Sequence, residues 1–401
     1  MDPFQQHTGF ALIWIYLSII LVFLFGIWQT KYVSKILGIS QKKGIFLYLW
    51  HTLICIAHYF WVTKVGNDVL GTYVNSLNPS LEQNYLWTGE LQYSTNIFIL
   101  NFYRIFSYYL KFSLFTTFLV MNIIGNNAIL LIEYFYRKLS IDFPRNIKFV
   151  LGLFLWIPTL HFWTSLGKDS LVILGILLIT YSLENPKKRF LLAIPSLIIL
   201  TILRNYISIM VVLSIIVSIF LNKSSIKQSS KIILLGGASL SMIFILPIVT
   251  SFLFAGNIEN FKTILETITY NSRITSTGTY AIDPNTDLFT RIFTYIFRPL
   301  FFDARNLFGL FLSFDNLILL IIFVYSFINM VKFRCLRLSF KNEISTFCAT
   351  YAFSTAFLLS ISTSNLGLAA RHKWMFLPVV FILFLRIFRS AFIKNKVIIK
   401  E

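Results

Sequence analysis

Long apolar runs, separated by short polar segments, recur along almost the whole chain. About 20 consecutive apolar residues are enough to cross the hydrocarbon core of a membrane as an α-helix. The pattern predicts about eleven such spans, at 10–28, 45–63, 113–135, 148–164, 170–183, 190–203, 206–221, 232–254, 307–331, 344–361 and 374–392. The predicted fold class is therefore all-α: a polytopic integral membrane protein with a single transmembrane domain over residues 1–401.

Two connections between the predicted spans are long, at 64–112 and 255–306. Each carries an aromatic, amphipathic and basic segment, at 95–112 and 290–302. Such segments are typical of helices that lie in the membrane interface. They are equally typical of the aromatic belt that flanks ordinary spans.

The positions of Lys and Arg predict the orientation of the chain. Cytoplasmic loops carry an excess of these residues. Most of the 35 fall into six clusters on one side of the predicted spans: Lys31 to Lys43, Arg137 to Lys148, Lys187 to Arg189, Lys223 to Lys231, Lys332 to Lys341, and Arg386 to Lys400. This alternation predicts an N-terminus outside and a C-terminus in the cytoplasm. The two long connections then lie on the outer side.

Composition supports a membrane protein and excludes several function classes. Hydrophobic residues make up 57% of the chain and charged residues 13%, about half the share found in soluble domains. The net charge of +19 mostly reflects the inner basic clusters, so no nucleic-acid partner is predicted. The three cysteines and the other potential ligands lack zinc spacing, and no phosphate-binding loop or dinucleotide motif occurs. We therefore predict no metal and no cofactor.

Ionisable residues on the predicted outer side are the best candidates for chemistry, because their burial in a membrane is costly. Lys168 and Asp169 follow His161 and precede a span of only about 14 residues, so both are expected to lie below the outer surface. Arg204 lies between two short spans in the same way. The alternatives are a self-neutralising Lys–Asp turn and an arginine whose head group reaches the surface.

A second group of candidates surrounds the predicted span at 307–331. The segment FRPLFFDARN contributes Arg298, Asp303, Arg305 and Asn306, and Asp315 lies about two turns into the span. A buried carboxylate is expected to face a cavity or to pair with an arginine, which would be a purely structural role.

Two further candidates lie elsewhere in the chain. Arg371 and His372, followed by Lys373, crowd the outer end of the last span, where either an anionic partner or lipid head groups would contact them. Asp68 lies in the first long connection, where a carboxylate is usually only solvated. Arginine and lysine suit a pyrophosphate, and a carboxylate or histidine suits deprotonation of a sugar hydroxyl.

Four segments resemble recurrent blocks of the Wzy-type O-antigen and capsular polysaccharide repeat-unit polymerases: WIPTLHFWTSLGKDSLVILG, LRNYISIMV, FRPLFFDARN with SFDN, and SNLGLAARHKWMFLP. The resemblance covers roughly 65–380. The matching positions are Lys168, Asp169, Arg204, Arg298, Asp303, Asn306 and Arg371. Asn205 departs from the pattern, since proline is expected after the arginine.

The resemblance implies a GT-C-like membrane glycosyltransferase in the bacterial inner membrane. Such an enzyme joins undecaprenyl-pyrophosphate-linked oligosaccharide repeats at the periplasmic face without a metal. Lys168, Arg204, Arg298, Arg305, Asn306, Asp315, Arg371 and His372 would contact the pyrophosphate or sugar. Asp303 and Asp169 are ranked above Asp68 as the catalytic base, and a chain-length regulator is a further candidate partner.

Two rival functions stay open. One is a different enzyme of the same membrane class, which moves one sugar or modifying group from a lipid carrier. The other is a non-enzymatic exporter of lipid-linked oligosaccharides. Exporters usually distribute charges through a central cavity, whereas the charges considered above lie near one face.

Overall fold

The computed structural model describes residues 9–66, 68–78, 91–222, 286–333, 342–363 and 365–398. The span predicted at 232–254 and most of the second long connection lie outside these residues. The basic clusters at 223–231 and 334–341 lie outside them as well.

The described residues are α-helical, as the apolar pattern predicts, with short π and 3₁₀ turns. The first helices are α1 (Gly9–Ile36), α2 (Gln41–Val65), α3 (Asp68–Ser76), α4 (Leu91–Arg104), α5 (Leu114–Leu139), α6 (Arg145–Gly152), α7 (Pro158–Thr164) and α8 (Gly167–Leu183). The remaining ones are α9 (Pro186–Leu203), α10 (Asn205–Leu221), α11 (Leu288–Phe297), α12 (Leu307–Lys332), α13 (Glu343–Ser362), α14 (Leu366–His372) and α15 (Leu377–Ile398).

Six of these helical segments are long and apolar enough to cross a membrane, which makes the chain a membrane protein by composition and helix length. They are Ala11–Ile36, Gln41–Val65, Leu114–Leu139, Arg145–Thr164, Leu307–Lys332 and Glu343–Ser362. A seventh span forms if Leu366–Met375 and Leu377–Phe392, which meet at 48°, count as one broken helix. The predicted spans at 170–183, 190–203 and 206–221 are helical but are not among these segments. The number eleven is therefore not confirmed.

Several helices extend beyond the predicted boundaries. Lys31 and Lys35, predicted to lie in a loop, belong to the last turns of α1. Lys168 and Asp169 likewise lie in the first turn of α8 rather than in a connection, and Asp68 begins α3. α1 continues through Lys31 and Lys35 because residues 29–36 contain no proline or glycine that would end a helix.

The chain forms two compact units. The first comprises Met1–Tyr134 with His161–Leu174, and the second comprises Phe135–Leu160 with Gly175–Glu401. In the first unit, Tyr48 packs in an apolar cluster with Val22 and Leu119. Buried amides add polar links between its helices: Asn122 Nδ2 donates to Thr52 Oγ1 at 2.9 Å. Such bonds between helices are common in membranes, where apolar surface alone does not drive helices together.

In the second unit, α13 packs against α10 and α15. The buried Tyr351 hydroxyl donates to the Met375 carbonyl at 2.9 Å, and this bond connects α13 with the turn that follows α14. Phe154 stacks on Phe381 with ring centroids 4.3 Å apart. These contacts hold the broken helix α14–α15 against its neighbours and thereby position the polar residues at the break.

The two aromatic segments of the long connections are mostly helical. Residues 91–109 form α4 and a π-helical turn at Ile105–Tyr109. The segment 290–302 is helical only up to Phe297, where α11 ends. Whether either segment lies in the membrane interface stays a prediction.

Candidate functional site

The candidate residues of the second unit other than Asp315 lie at or near helix ends, and capping side chains explain why the helices begin there. Asp287 accepts from Thr290 N at 3.0 Å, Asn306 from Gly309 N at 2.7 Å, and Asn365 from Gly367 N at 2.8 Å. Each caps the first turn of a helix by satisfying a backbone N–H that has no partner inside it. The caps fix where α11, α12 and α14 begin.

Arg204 is the single residue between α9 and α10. Its backbone adopts φ −151° and ψ 74°, which interrupts the helix. One guanidinium nitrogen, Nη2, lies 3.3 Å from Nε2 of His372, although the two residues are 168 positions apart. The sequence predicts both residues as candidates for ligand contact, and the structure shows that they contact each other.

Lys373 is 1% exposed and is held by two oxygen acceptors. Its ammonium donates to the Ile296 carbonyl at 3.2 Å and to the side-chain oxygen of Asn316. Asp315 interacts electrostatically with Lys373, is fully buried and accepts from Thr159 N at 2.6 Å. The hydrogen-bond partner of Asp315 is thus a backbone amide, not the arginine that the sequence predicts.

Arg298 and Asp303 form an ion pair with each other. Nε of Arg298 donates to Oδ2 of Asp303 at 2.9 Å, and a second bond joins Nη2 to Oδ1. The Leu300 amide adds a third donor at 2.8 Å. Hydrogen bonding to Arg298 lowers the pKa of the Asp303 carboxyl below its ordinary value. A base with a lowered pKa accepts a proton less readily, which counts against Asp303 as the catalytic base.

The other predicted residues of this unit are more exposed. Arg305 and Asn306 are exposed, and the side-chain oxygen of Asn306 is engaged as the cap of α12. Arg371 is half-buried at the end of α14, next to His372. These positions suit contact with a ligand that approaches from outside the unit.

The remaining predicted residues belong to the first unit. Asp68 is exposed at the start of α3. Asp169 is 2% exposed and Lys168 is half-buried, both directly after Gly167, whose φ of 62° requires a left-handed backbone. The predicted set is thus divided between two units. Seven predicted contact residues and Asp303 lie in the second unit.

One tyrosine and one tryptophan side chain of the second unit are not predicted from the sequence as candidates. The hydroxyl of Tyr295 and Nε1 of Trp374 are buried and make no hydrogen bond to any part of the chain that the structure describes. Tyr295 interacts electrostatically with Tyr206 and Arg204. The spacing of Arg291 and Tyr295, one helical turn apart, was the signal available, since residues at i and i+4 share a face.

A cluster of histidines in the first unit was also missed. His51 Nδ1 lies 3.1 Å from Nδ1 of His161, and both rings are fully buried. His58 Nδ1 lies 2.7 Å from the Phe162 carbonyl. Within the described ranges, no group of three or more His, Cys, Asp or Glu residues is arranged to hold a metal ion.

The second unit thus carries arginine, lysine and histidine side chains at the ends of α9, α11 and α14. The buried Tyr295 hydroxyl and Trp374 Nε1 make no hydrogen bond to the described residues. This arrangement suits an anionic, oxygen-rich ligand. Comparison with protein-family models, curated proteins and solved structures finds no match for this chain.

Proposed function

We propose that the chain is a glycosyltransferase that joins undecaprenyl-pyrophosphate-linked oligosaccharide repeat units into O-antigen or capsular polysaccharide. The proposal includes eleven spans, an N-terminus outside, a GT-C-like arrangement, and action at the periplasmic face of a bacterial inner membrane.

The observation that carries the proposal is the contact between Arg204 and His372 beside the buried Lys373. The side chains of Arg204, between α9 and α10, and His372, at the end of α14, lie in contact, and Lys373 follows His372 directly in the chain before the bend to α15. Such breaks at membrane depth are tolerated where the backbone lines a cavity or is buried in protein. A cationic group in this position is the expected receptor for the phosphates of a membrane-anchored ligand.

The reaction needs few parts. The bond from the anomeric carbon of the growing chain to the pyrophosphate breaks, and a new bond forms to a hydroxyl of the acceptor repeat. The leaving pyrophosphate keeps its electron pair and gains negative charge, which in this proposal Arg204 and Arg371 stabilise without a metal. The hydroxyl proton passes to a base.

The ion pair between Arg298 and Asp303 bears on which of the three carboxylates could act as the base. Asp303 acts as a base only if its ion pair with Arg298 opens. Asp169 is the stronger candidate, and Asp68, exposed in the first unit, is the third. Comparing Asp169→Asn, Asp303→Asn and Asp68→Asn for polymer yield ranks the three.

Deletion of the gene in its own host tests the function. We expect surface polysaccharide with single repeats only and no ladder of long chains on a gel, and restoration by the intact gene. An unchanged ladder would refute the proposal.

Two other outcomes would support the rival functions. A full-length ladder with altered sugar composition indicates a single-sugar or modifying transferase. Accumulation of lipid-linked repeats in the cytoplasmic leaflet indicates an exporter. A chain-length regulator is a candidate partner if ladder length changes when the two proteins are expressed in different ratios.

A further inference from the structure

A cavity of about 390 Å³ lies in the second unit, away from the helix breaks described above. Its lining is partly polar and comes from the end of α5, the start of α13, the second half of α15 and the residue after α8. The polar lining residues include Lys138, Glu184, Asn342, Ser345, Arg386 and Arg389.

One buried carboxylate organises the cations around this cavity. Glu184, whose side chain is 5% exposed, lies 2.6 Å from Lys138 Nζ, 3.4 Å from Arg386 Nη1 and 3.8 Å from Arg189 Nη1. Arg389 donates to the Lys138 carbonyl at 2.8 Å. The lining therefore holds three cations and one carboxylate, which leaves an excess of positive charge in a preformed cavity.

Neutral side chains that accept hydrogen bonds from Arg386 complete the lining. Arg386 donates to Asn342 Oδ1 at 3.0 Å and lies 3.3 Å from Ser345 Oγ. Asn342 caps the 20-residue helix α13, whose positive N-terminal dipole faces the same lining residues. Cations held by hydrogen bonds, hydroxyl groups and a helix N-terminus together are the usual components of a phosphate site.

We propose that this cavity binds a phosphate group at the cytoplasmic side of the membrane. The basic residues that line it belong to clusters that the distribution of Lys and Arg assigns to the cytoplasm. The cytoplasmic leaflet carries anionic lipids, and lysine and arginine near its surface bind them. The phosphate then belongs either to an anionic lipid head group or to a soluble phosphate. This site is independent of the proposed polymerase activity.

The test uses the full chain purified in a neutral detergent. Native mass spectrometry counts retained phosphatidylglycerol and phosphatidylcholine, and a parallel titration with inorganic phosphate follows the melting temperature. The variants are Arg389→Gln and Lys138→Gln, each of which removes one lining cation. The matched control is Arg137→Gln, which removes an exposed cation next to Lys138 that does not line the cavity.

We expect each lining variant to bind the phosphate-bearing probe about fivefold more weakly, in line with one basic residue at an anionic surface, and the control to bind as the wild type does. Selective loss of phosphatidylglycerol supports a lipid head group, and selective loss of the response to inorganic phosphate supports a soluble ligand. Equal effects of the control and lining variants, or no binding of either probe by the wild type, would overturn the proposal. Two lining variants keep the test informative if one of them fails to fold.

Discussion

Arg298 and Asp303 bind each other through two hydrogen bonds, across a turn in which only four residues separate them. The sequence suggests opposite roles for them, one as a ligand of the pyrophosphate and the other as a base. The pair changes both roles, because the guanidinium already has an anionic partner and the carboxylate is less basic. An incoming pyrophosphate would compete with Asp303 for Arg298, so the pair is as consistent with a structural turn as with a site.

The ion pair predicts a dependence of stability on pH. The pKa of Asp303 is lowered in the folded protein, so its contribution is present above the ordinary aspartate pKa of about 4 and is lost as the pH falls through the lowered value. The Arg298 side chain is 38% exposed, and solvent screening limits the contribution to about 1 kcal/mol or less.

Melting in detergent between pH 3 and pH 7 measures this contribution. Asp303→Asn should melt below the wild type at pH 7 and approach it at the acid end. A constant difference across the whole range would contradict the assignment.

The three arginines proposed to bind the pyrophosphate predict a loss of polymer without a loss of protein. Arg204→Ala, Arg298→Ala and Arg371→Ala should each shorten or abolish the polysaccharide ladder while the chain stays inserted. Arg204→Lys keeps the charge but removes the planar fork, and we expect intermediate activity. The control is Arg145→Ala, an exposed position on the opposite predicted side.

A wild-type ladder in all three alanine variants would exclude a phosphate-binding role for these arginines. Immunoblots of membrane fractions must show equal amounts of protein, since a ladder lost together with the protein reports only on folding.

Much of the helical pattern could be predicted from the sequence, since apolar runs are local and every backbone polar group in a membrane must be satisfied within a helix. The interruptions were harder to place. The segment predicted as one span at 148–164 is broken between Gly152 and Pro158, because proline lacks the N–H that would continue the helix. The break between α14 and α15 lies inside the predicted start of the last span.

The candidate site could be predicted residue by residue but not as an arrangement. Arg204 and His372 are each predicted as candidates because burying a charged group in a membrane is costly. Nothing in the neighbouring sequence of either residue indicates that the two side chains contact each other. The reverse holds for Arg298 and Asp303, whose short separation made pairing foreseeable. Asp315 and Lys373 were each expected near an opposite charge, and the backbone donor from Thr159 could be seen only in three dimensions.

The hydrogen bond from the Thr159 amide to the buried Asp315 carboxylate predicts that two substitutions of Asp315 differ in how far they lower stability. Asp315→Ala leaves the Thr159 amide without its acceptor, which costs about 1–3 kcal/mol when the donor is buried. Asp315→Asn keeps an acceptor oxygen and should cost less.

Combining Asp315→Asn with Lys373→Met tests whether the two charges interact. The double variant should be less destabilised than the sum of the two single variants, as measured by melting in detergent. Strict additivity would show that Lys373 is stabilised by Asn316 and the Ile296 carbonyl alone.

The hydrogen bonds of Arg291 predict that its substitution destabilises the C-terminal end of α13. Its Nε donates to the Ser360 carbonyl at 2.6 Å and its Nη2 to the Ile361 carbonyl at 2.8 Å, so the guanidinium satisfies carbonyls that have no partner in the last turn. Arg291→Met keeps the length of the side chain and removes both bonds, at a cost of about 1.5–3 kcal/mol per charged donor group.

Arg291→Lys should recover part of that loss, since one ammonium cannot reproduce the two-point geometry. The control Lys332→Met changes an exposed residue at the end of α12 and should melt as the wild type does. Equal melting of Arg291→Met and the control would show that the last turn of α13 does not depend on this contact.

The close approach of two segments in the first unit predicts that Gly125 tolerates no side chain. A Cβ atom at this position would lie 1.9 Å from the backbone oxygen of Thr164, and backbone cannot move aside as a flexible side chain can. Small residues permit such close approaches between membrane helices. Gly125→Ala should therefore lower the melting temperature strongly, with a cost of about 1–3 kcal/mol or more for the added methyl group.

Gly71→Ala is the matched control: no atom outside the backbone of its own helix lies within 4 Å of its Cβ position, and alanine favours α3 by about 0.5–1 kcal/mol. If the two variants melted alike, the packing of Gly125 against Thr164 would be wrong.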